Sequence, residues 1–255
     1  MAPIPISSNA KAGVSSFLVI LVSEIGDKTF LIAAILAMTN KRLLIFTAAF
    51  AALFVMTILS AFLGIVGQNL LNKKYTQILA GILFFVFGVK MLLDARKMTG
   101  KELEEETEEV SKELLEKEEE EKEKKSSLEE GNISKKESTG FAAGIHNLLQ
   151  FLFSPVFIQT FVMTFLAEWG DRSQIATIAL AGAEDFLYVT LGGLCGHAIC
   201  TCVAVVGGRL LASKISIKTV TIMGGILFLI FGFTTFYSVY AGEENSENYD
   251  IPSSD

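Results

Sequence analysis

The chain lacks the features that mark most secreted modules and soluble enzymes. Its three cysteines, Cys195, Cys200 and Cys202, all fall in one apolar run, so no disulfide framework and no redox compartment can be read from them. Residues 1–13 carry one charged side chain, Lys11, and lack the charged, apolar and small-residue regions of a cleavable signal. The paired glycines Gly192-Gly193, Gly207-Gly208 and Gly224-Gly225 come without the lysine and strand context of a phosphate loop. They read instead as close-packing positions between membrane helices, and so do the small cysteines. No basic excess is present either. The net charge is −7, of which residues 101–130 contribute −9, with 15 acidic against 6 basic residues, leaving about +2 elsewhere. Nothing in that balance points to nucleic acid. The apolar runs also lack the two-residue alternation of a membrane β-barrel.

What the chain has is apolar length. It is 51% hydrophobic over 255 residues, with a mean hydropathy of +0.49. Six stretches, 14–38, 43–67, 75–93, 155–181, 186–210 and 219–240, are long enough to cross a bilayer, for which ~18 residues suffice. Helices are the economical form for all six, because backbone polar groups in lipid must be satisfied within the segment. The expectation is an all-α membrane protein. Short flanks set its orientation: Lys41, Arg42, Arg96, Lys97, Lys135, Lys136, Lys214 and Lys218 fall on one side, against Lys11, Lys73 and Lys74 on the other. By the positive-inside rule the first side is cytoplasmic, and both termini face the lumen or exterior. The sequon Asn132-Ile133-Ser134 would then be cytoplasmic and unmodified.

The second half repeats the first. Ser23-Glu24-Ile25-Gly26-Asp27-Lys28-Thr29 recurs as Ala167-Glu168-Trp169-Gly170-Asp171-Arg172-Ser173, and Ala80 to Gly88 recurs as Gly224 to Gly232, both at an offset of 144 residues. Three spans per repeat is an odd number, so the second copy enters from the opposite face. The chain thus divides into a luminal N-terminus (1–13), a first three-helix repeat (14–97), a charged cytoplasmic linker with an interfacial segment (98–150), a second repeat (151–241) and an acidic luminal tail (242–255). This is the inverted-repeat plan of many transporters, with the binding site at the repeat interface. The Glu/Lys run at 101–125 has apolar residues only at Leu103, Val110, Leu114 and Leu115. It reads as a solvated helix or disordered linker, a coiled-coil or cation-sensing contact being the sharper alternative. Residues 141–153 read as an interfacial lead into the fourth span.

Chemistry concentrates in the repeated phrase. Glu24, Asp27, Glu168 and Asp171 are the acidic residues within the spans, apart from Asp94 at the end of the third. In a continuous helix each Glu-Asp pair shares one face, three residues apart. Glu24 lies ten residues past Val14, ~15 Å or about half the hydrocarbon depth. Charge at such depth marks function by default. Four converging carboxylates cannot stay both ionised and empty: they hold protons or share a cation. Hard oxygen ligands suit Ca²⁺, Mn²⁺ or Mg²⁺. Thr29 and Ser173 add hydroxyls and Gln174 an amide; Gly26 and Gly170 weaken the helix and let carbonyls approach. Lys28 and Arg172 are candidates for gating or charge pairing, although simple i,i+4 pairs with Glu24 and Glu168 would be the purely structural use. His197, in the fifth span, is either a proton relay or a packed, hydrogen-bonded histidine; His146 reads as incidental.

The doubled E-x-G-D-(K/R)-(S/T) motif, the three-plus-three plan and the charged linker resemble the transmembrane protein 165 family of Golgi divalent cation/proton exchangers, over residues 14–97 and 151–240. That resemblance implies a transporter, not an enzyme, with no cofactor. Its partners are membrane lipid, transported Mn²⁺ or Ca²⁺ and protons. It also implies residence in the Golgi membrane, support for glycosylation, and Glu24, Asp27, Glu168 and Asp171 as cation ligands, with Thr29, Ser173 and Gln174 as further candidates. Two other classes compete. An intramembrane aspartyl protease would use Asp27 and Asp171 as its dyad, but such enzymes use G-x-G-D, and a Glu stands first in both copies here. A cation-binding sensor or scaffold would bind the ion without turnover.

Overall fold

The computed structural model describes residues 8–71, 73–99, 102–126, 154–212 and 216–247. The sequon at Asn132, residues 141–153 and the end of the tail lie outside them. The regular elements are helices: α1 (Ser8–Glu24), α2 (Lys28–Thr39), α3 (Arg42–Leu70), α4 (Lys73–Lys97), α5 (Glu102–Ser126), α6 (Pro155–Glu168), α7 (Arg172–Ala183), α8 (Phe186–Ala212) and α9 (Ile217–Glu247). Four of these, α3, α4, α8 and α9, are long and apolar enough to cross a membrane. Their outward faces carry exposed Leu79, Val86 and Leu93 on α4, and Ile226, Ile230, Phe233 and Tyr237 on α9. Apolar surface that continuous needs a cover, and lipid provides one. The chain is a multi-pass membrane protein.

The stretches 14–38 and 155–181, expected to be continuous helices, are each broken in two. α1 stops at Glu24 and α2 begins at Lys28; α6 stops at Glu168 and α7 begins at Arg172. Apolar length reported the run but could not report the break, which one backbone dihedral decides.

Helices of one half pack mainly on helices of the other. α4 lies along α9, α1 against α8, α6 against α3, α2 against α8 and α7 against α3, while α3 and α8 also meet each other. Small residues permit the approach. A Cβ on Gly88 would stand 2.9 Å from the carbonyl oxygen of Gly225, and one on Gly232 would stand 3.2 Å from that of Gly81. Between these glycines the repeated phenylalanines Phe84 and Phe228, both fully buried, meet edge to face at 5.8 Å between centroids.

Two apolar clusters form the interior. One gathers Ala61, Ala80, Phe84, Ala176, Leu180, Val189 and Phe228. The other surrounds α2, whose Phe30 to Ala34, Leu36 and Ala37 pack with Ile45 and Ala49 of α3, Met163 of α6, and Ala204 and Val205 of α8. This second cluster also contains Val110 and Leu114 of α5. The linker therefore departs from the solvated reading over at least this turn. Val110 and Leu114 are four apart, so one face of an otherwise charged helix is apolar and docks, while Leu115 stays exposed.

The closest approach of α3 to α7 yields a measurable expectation. A Cβ on Gly64 would meet the Ile178 carbonyl oxygen at 2.6 Å, Ala181 Cβ at 2.8 Å and Gly182 N at 2.9 Å, whereas one on Gly67 meets nothing within 4 Å. Gly64→Ala should cost about 1–3 kcal/mol through overpacking. Gly67→Ala should be neutral or slightly stabilising, since Ala is the better helix former by about 1 kcal/mol. Thermal unfolding of the two variants in detergent reads the difference, and equal melting temperatures would refute this packing.

Candidate functional site

Both breaks follow from the same two letters. Glycine takes the left-handed region that other residues avoid, and Gly26 (φ 81°) and Gly170 (φ 83°) both sit there. Aspartate favours the extended conformation that opens a helix, and Asp27 (φ −78°, ψ 166°) and Asp171 (φ −68°, ψ 168°) are the N-caps of α2 and α7. A stop and a start thus stand side by side. Each turn is closed by a backbone bond, from Asp27 N to Glu24 O at 3.2 Å and from Asp171 N to Glu168 O at 3.1 Å. In the second turn Gln174 Oε1 also accepts from Gly170 N at 2.6 Å.

The breaks leave two glutamates at helix ends inside the protein. Glu24 and Glu168 are 3% and 2% exposed. Each accepts one hydroxyl hydrogen bond from the second residue of the following half-helix: Thr29 Oγ1 to Glu24 Oε2 at 3.5 Å, and Ser173 Oγ to Glu168 Oε2 at 3.3 Å. The other oxygen of each, Oε1, is buried without a hydrogen-bond partner among the described residues. Glu24, Glu168 and Asp171 each present an oxygen within 4.8 Å of the other two. That spread suits one ion, because two oxygens on opposite sides of a divalent cation bonded at ~2.4 Å stand ~4.8 Å apart. His197 completes the wall, 5% exposed at its side chain, with Nδ1 3.7 Å from Glu24 Oε1 and no hydrogen-bond partner there among the described residues. It is packed, but this nitrogen is not satisfied as a structural histidine would require.

The fourth acid is engaged differently. Asp27 Oδ1 accepts from Arg172 Nη2 at 3.4 Å, across the two halves, and Arg172 Nε lies 3.9 Å from Asp171 Oδ1. Asp171 Oδ2 accepts from Ser173 N at 3.1 Å and so caps α7. Lys28, the repeat counterpart of Arg172, points to α5 instead, 3.0 Å from Glu113 Oε2 and 3.7 Å from Glu109 Oε1. Neither basic residue makes the i,i+4 pair with the glutamate of its own motif.

Two small cavities of about 10 Å³, each roughly one water in size, flank the acids. One joins Glu24 and Thr29 to Thr164, Cys200 and Thr201. The other joins Glu168, Ser173 and Gln174 to Thr57, Ser60 and His197. A third, of about 130 Å³, is lined by Asp27, Arg172, Met98, Ile217 and, from the linker, Glu106. Burial raises the Glu106 carboxyl above its ordinary range; Asp27 adds to the rise and Arg172 opposes it. The cysteines do not assemble into a thiolate site: Cys195 and Cys202 face outward, while Cys200 is buried with Sγ 3.8 Å from the Leu21 carbonyl. The acids of α5 were missed as site neighbours. The i,i+4 pair Val110/Leu114 was the signal that one face of that helix could dock.

A single family model matches this chain twice, at residues 12–99 and again at residues 156–243, under the description Divalent cation/proton antiporter GDT1. The chain belongs to the GDT1 family. The two matched stretches stand 144 residues apart, the spacing of the duplicated motifs. Similar GDT1 proteins are the divalent cation/proton antiporter GDT1 of Saccharomyces cerevisiae, 43% identical over 247 residues, covering 93% of this chain and 88% of the yeast protein. GDT1-like protein 5 of Oryza sativa subsp. japonica is 47% identical over 223 residues, 88% of this chain and 93% of its own length. GDT1-like protein 3 of Arabidopsis thaliana is 44% identical over 223 residues, 88% of this chain and 69% of its own. No solved structure matches. GDT1 proteins are antiporters and not enzymes, which disposes of the protease reading.

The GDT1 motif glycine can be tested directly. Nothing lies within 4 Å of a Cβ on Gly170, so a side chain there meets only backbone strain. Gly170→Asn should be better tolerated than Gly170→Val, which should cost at least about 1–2 kcal/mol, because asparagine visits the left-handed region and valine does not. Melting temperatures of the two variants in detergent check the order, and Val matching Asn would contradict the turn geometry.

Proposed function

We propose that this protein exchanges Mn²⁺ or Ca²⁺ for protons at the buried carboxylates, moving the cation from cytosol into the Golgi lumen by alternating access. The observation that carries this reading is the pair of unpartnered oxygens, Glu24 Oε1 and Glu168 Oε1, beside Asp171 and within one ion's reach. A buried carboxylate oxygen without a donor is costly, and a proton or a cation relieves it. The two cannot occupy the same oxygens together, and exchange follows from that competition. The donors are hard oxygens from Glu24, Glu168 and Asp171, with Thr29 and Ser173 beside them, which favours Ca²⁺ or Mn²⁺ over soft-ligand metals. Asp27 joins when Arg172 releases it. Gln174 holds the second turn, and His197 is placed to take or give a proton near Glu24.

Six spans in two inverted repeats are the architecture that best suits this cycle, with α1–α2 and α6–α7 as discontinuous spans. The helix pairing supports it: exchanging the halves turns α1–α8 into α6–α3 and α2–α8 into α7–α3, and leaves α4–α9 in place. The contact of Gly88 with Gly225 becomes that of Gly232 with Gly81 under the same exchange. Two such halves can rock about a shared site.

Purified protein in proteoliposomes should take up Mn²⁺ or Ca²⁺ when a pH gradient is imposed, and Glu168→Gln and Glu24→Gln should each lower that flux by an order of magnitude or more, since ground-state competition and ligation are lost together. Raising the pH on the cation side should lower the half-saturating cation concentration, because the deprotonated carboxylate is the binding form. Flux that survives in Glu168→Gln would remove the carboxylates from the path. Flux indifferent to the gradient would indicate a uniporter, and cation binding without flux a sensor.

A further inference from the structure

The halves are not chemically equivalent at their third acidic position, and the linker supplies the difference. Asp171 presents one oxygen within 4.8 Å of the two glutamates, with Ser173 N and, at 3.9 Å, Arg172 Nε against it, whereas Asp27 takes the nearer guanidinium contact, 3.4 Å from Arg172 Nη2. A divalent cation on Asp27 and a guanidinium hydrogen-bonded to it repel each other and compete for the charge of one carboxylate. Arg172 leaves Asp27 at least cost where another anion stands that does not itself hold the cation, as Asp171 would. The 130 Å³ cavity that Asp27 and Arg172 line contains one: Glu106 of α5, whose Oε2 is buried and has no hydrogen-bond partner among the described residues. Its position is not incidental. Val110 and Leu114, one and two turns further along α5, are 1% and 5% exposed in the cluster around α2, and Glu113 and Glu109 are held by Lys28, the residue next to Asp27.

We propose that Glu106 is a positioning residue for transport, an alternative acceptor to which Arg172 transfers when a divalent cation takes Asp27, and that docking of α5 exists to hold it there. The proposal rests on the carboxylate-exchange reading above. Arg172 suits this use because its charge is permanent and its planar fork presents five donors, so it can leave one carboxylate for another without losing its proton. The outer acids of the same helix, such as exposed Glu104 and Glu108, have no such role.

The test uses the full chain and reads the half-saturating Mn²⁺ or Ca²⁺ concentration in two ways, from pH-driven uptake in proteoliposomes and from cation-induced rise of the melting temperature, which needs no turnover. Glu106→Gln should raise that concentration about threefold or more in both, Glu106→Asp should restore part of the loss, and Glu104→Gln should match wild type. With Arg172→Gln already present, Glu106→Gln should add no further shift, the signature of two residues acting through one contact. Leu114→Asp, which undocks α5, should reproduce Glu106→Gln if it folds. Wild-type half-saturation in Glu106→Gln, or shifts that multiply independently with Arg172→Gln, would overturn the proposal. Glu168→Gln run alongside separates the two levels: if it is inactive while Glu106→Gln is normal, only the role of Glu106 fails; if it is fully active, the carboxylate reading itself fails.

Discussion

A carboxylate buried without enough donors is the constraint on which the rest of this structure depends. Glu24 and Glu168 are almost completely enclosed, each with one hydroxyl partner and one oxygen unpartnered among the described residues. Such a group is costly in an apolar interior, and the helix breaks beside them are what make it tolerable. A continuous helix would carry each glutamate past its neighbours on a fixed face. The break ends one helix at the glutamate and begins the next within reach, so that the hydroxyls of Thr29 and Ser173 at the start of α2 and α7 turn back to the acid. Backbone groups freed at the two turns stand near the same volume, and the positive ends of α2 and α7 are close to the negative charge.

Everything around the breaks is arranged to hold them. α2 and α7 are short, and a twelve-residue helix is marginal alone. Each is stabilised by packing against the long helix of the opposite half, α8 or α3. The glycines at the close crossings, Gly64 of α3 against α7 and Gly88 of α4 against α9, let the backbones approach where side chains would separate them. The glycines at the turns serve a different end, a dihedral rather than a distance.

Duplication supplied two similar motifs, and their differences divide the labour. Arg172 and Lys28 occupy the same motif position, yet the arginine reaches across to Asp27 while the lysine reaches out to the linker helix. Guanidinium geometry suits the partly buried bridge between carboxylates; a compact, well-hydrated ammonium suits the more open pairing with Glu109 and Glu113. The linker is thereby joined to the site by its charge as well as by Val110 and Leu114.

Much of this was legible in the chain by itself. The duplicated acids, the 144-residue offset, the apolar runs and the family resemblance follow from residue identity and spacing, which local chemistry and hydropathy are enough to interpret. The helix breaks were also written there, as Gly-Asp, a stop followed by a start, but the unbroken apolar run outweighed that signal. Other features were decided only by the tertiary structure. That Asp27 meets Arg172, that His197 stands beside Glu24, and that an acidic linker docks by two apolar side chains all depend on which helices meet. Such contacts join residues 145, 173 and 85 positions apart, counting Asp27 to Arg172, Glu24 to His197 and Lys28 to Glu113. No local pattern encodes them, because the energy that selects them is the packing of the two halves together.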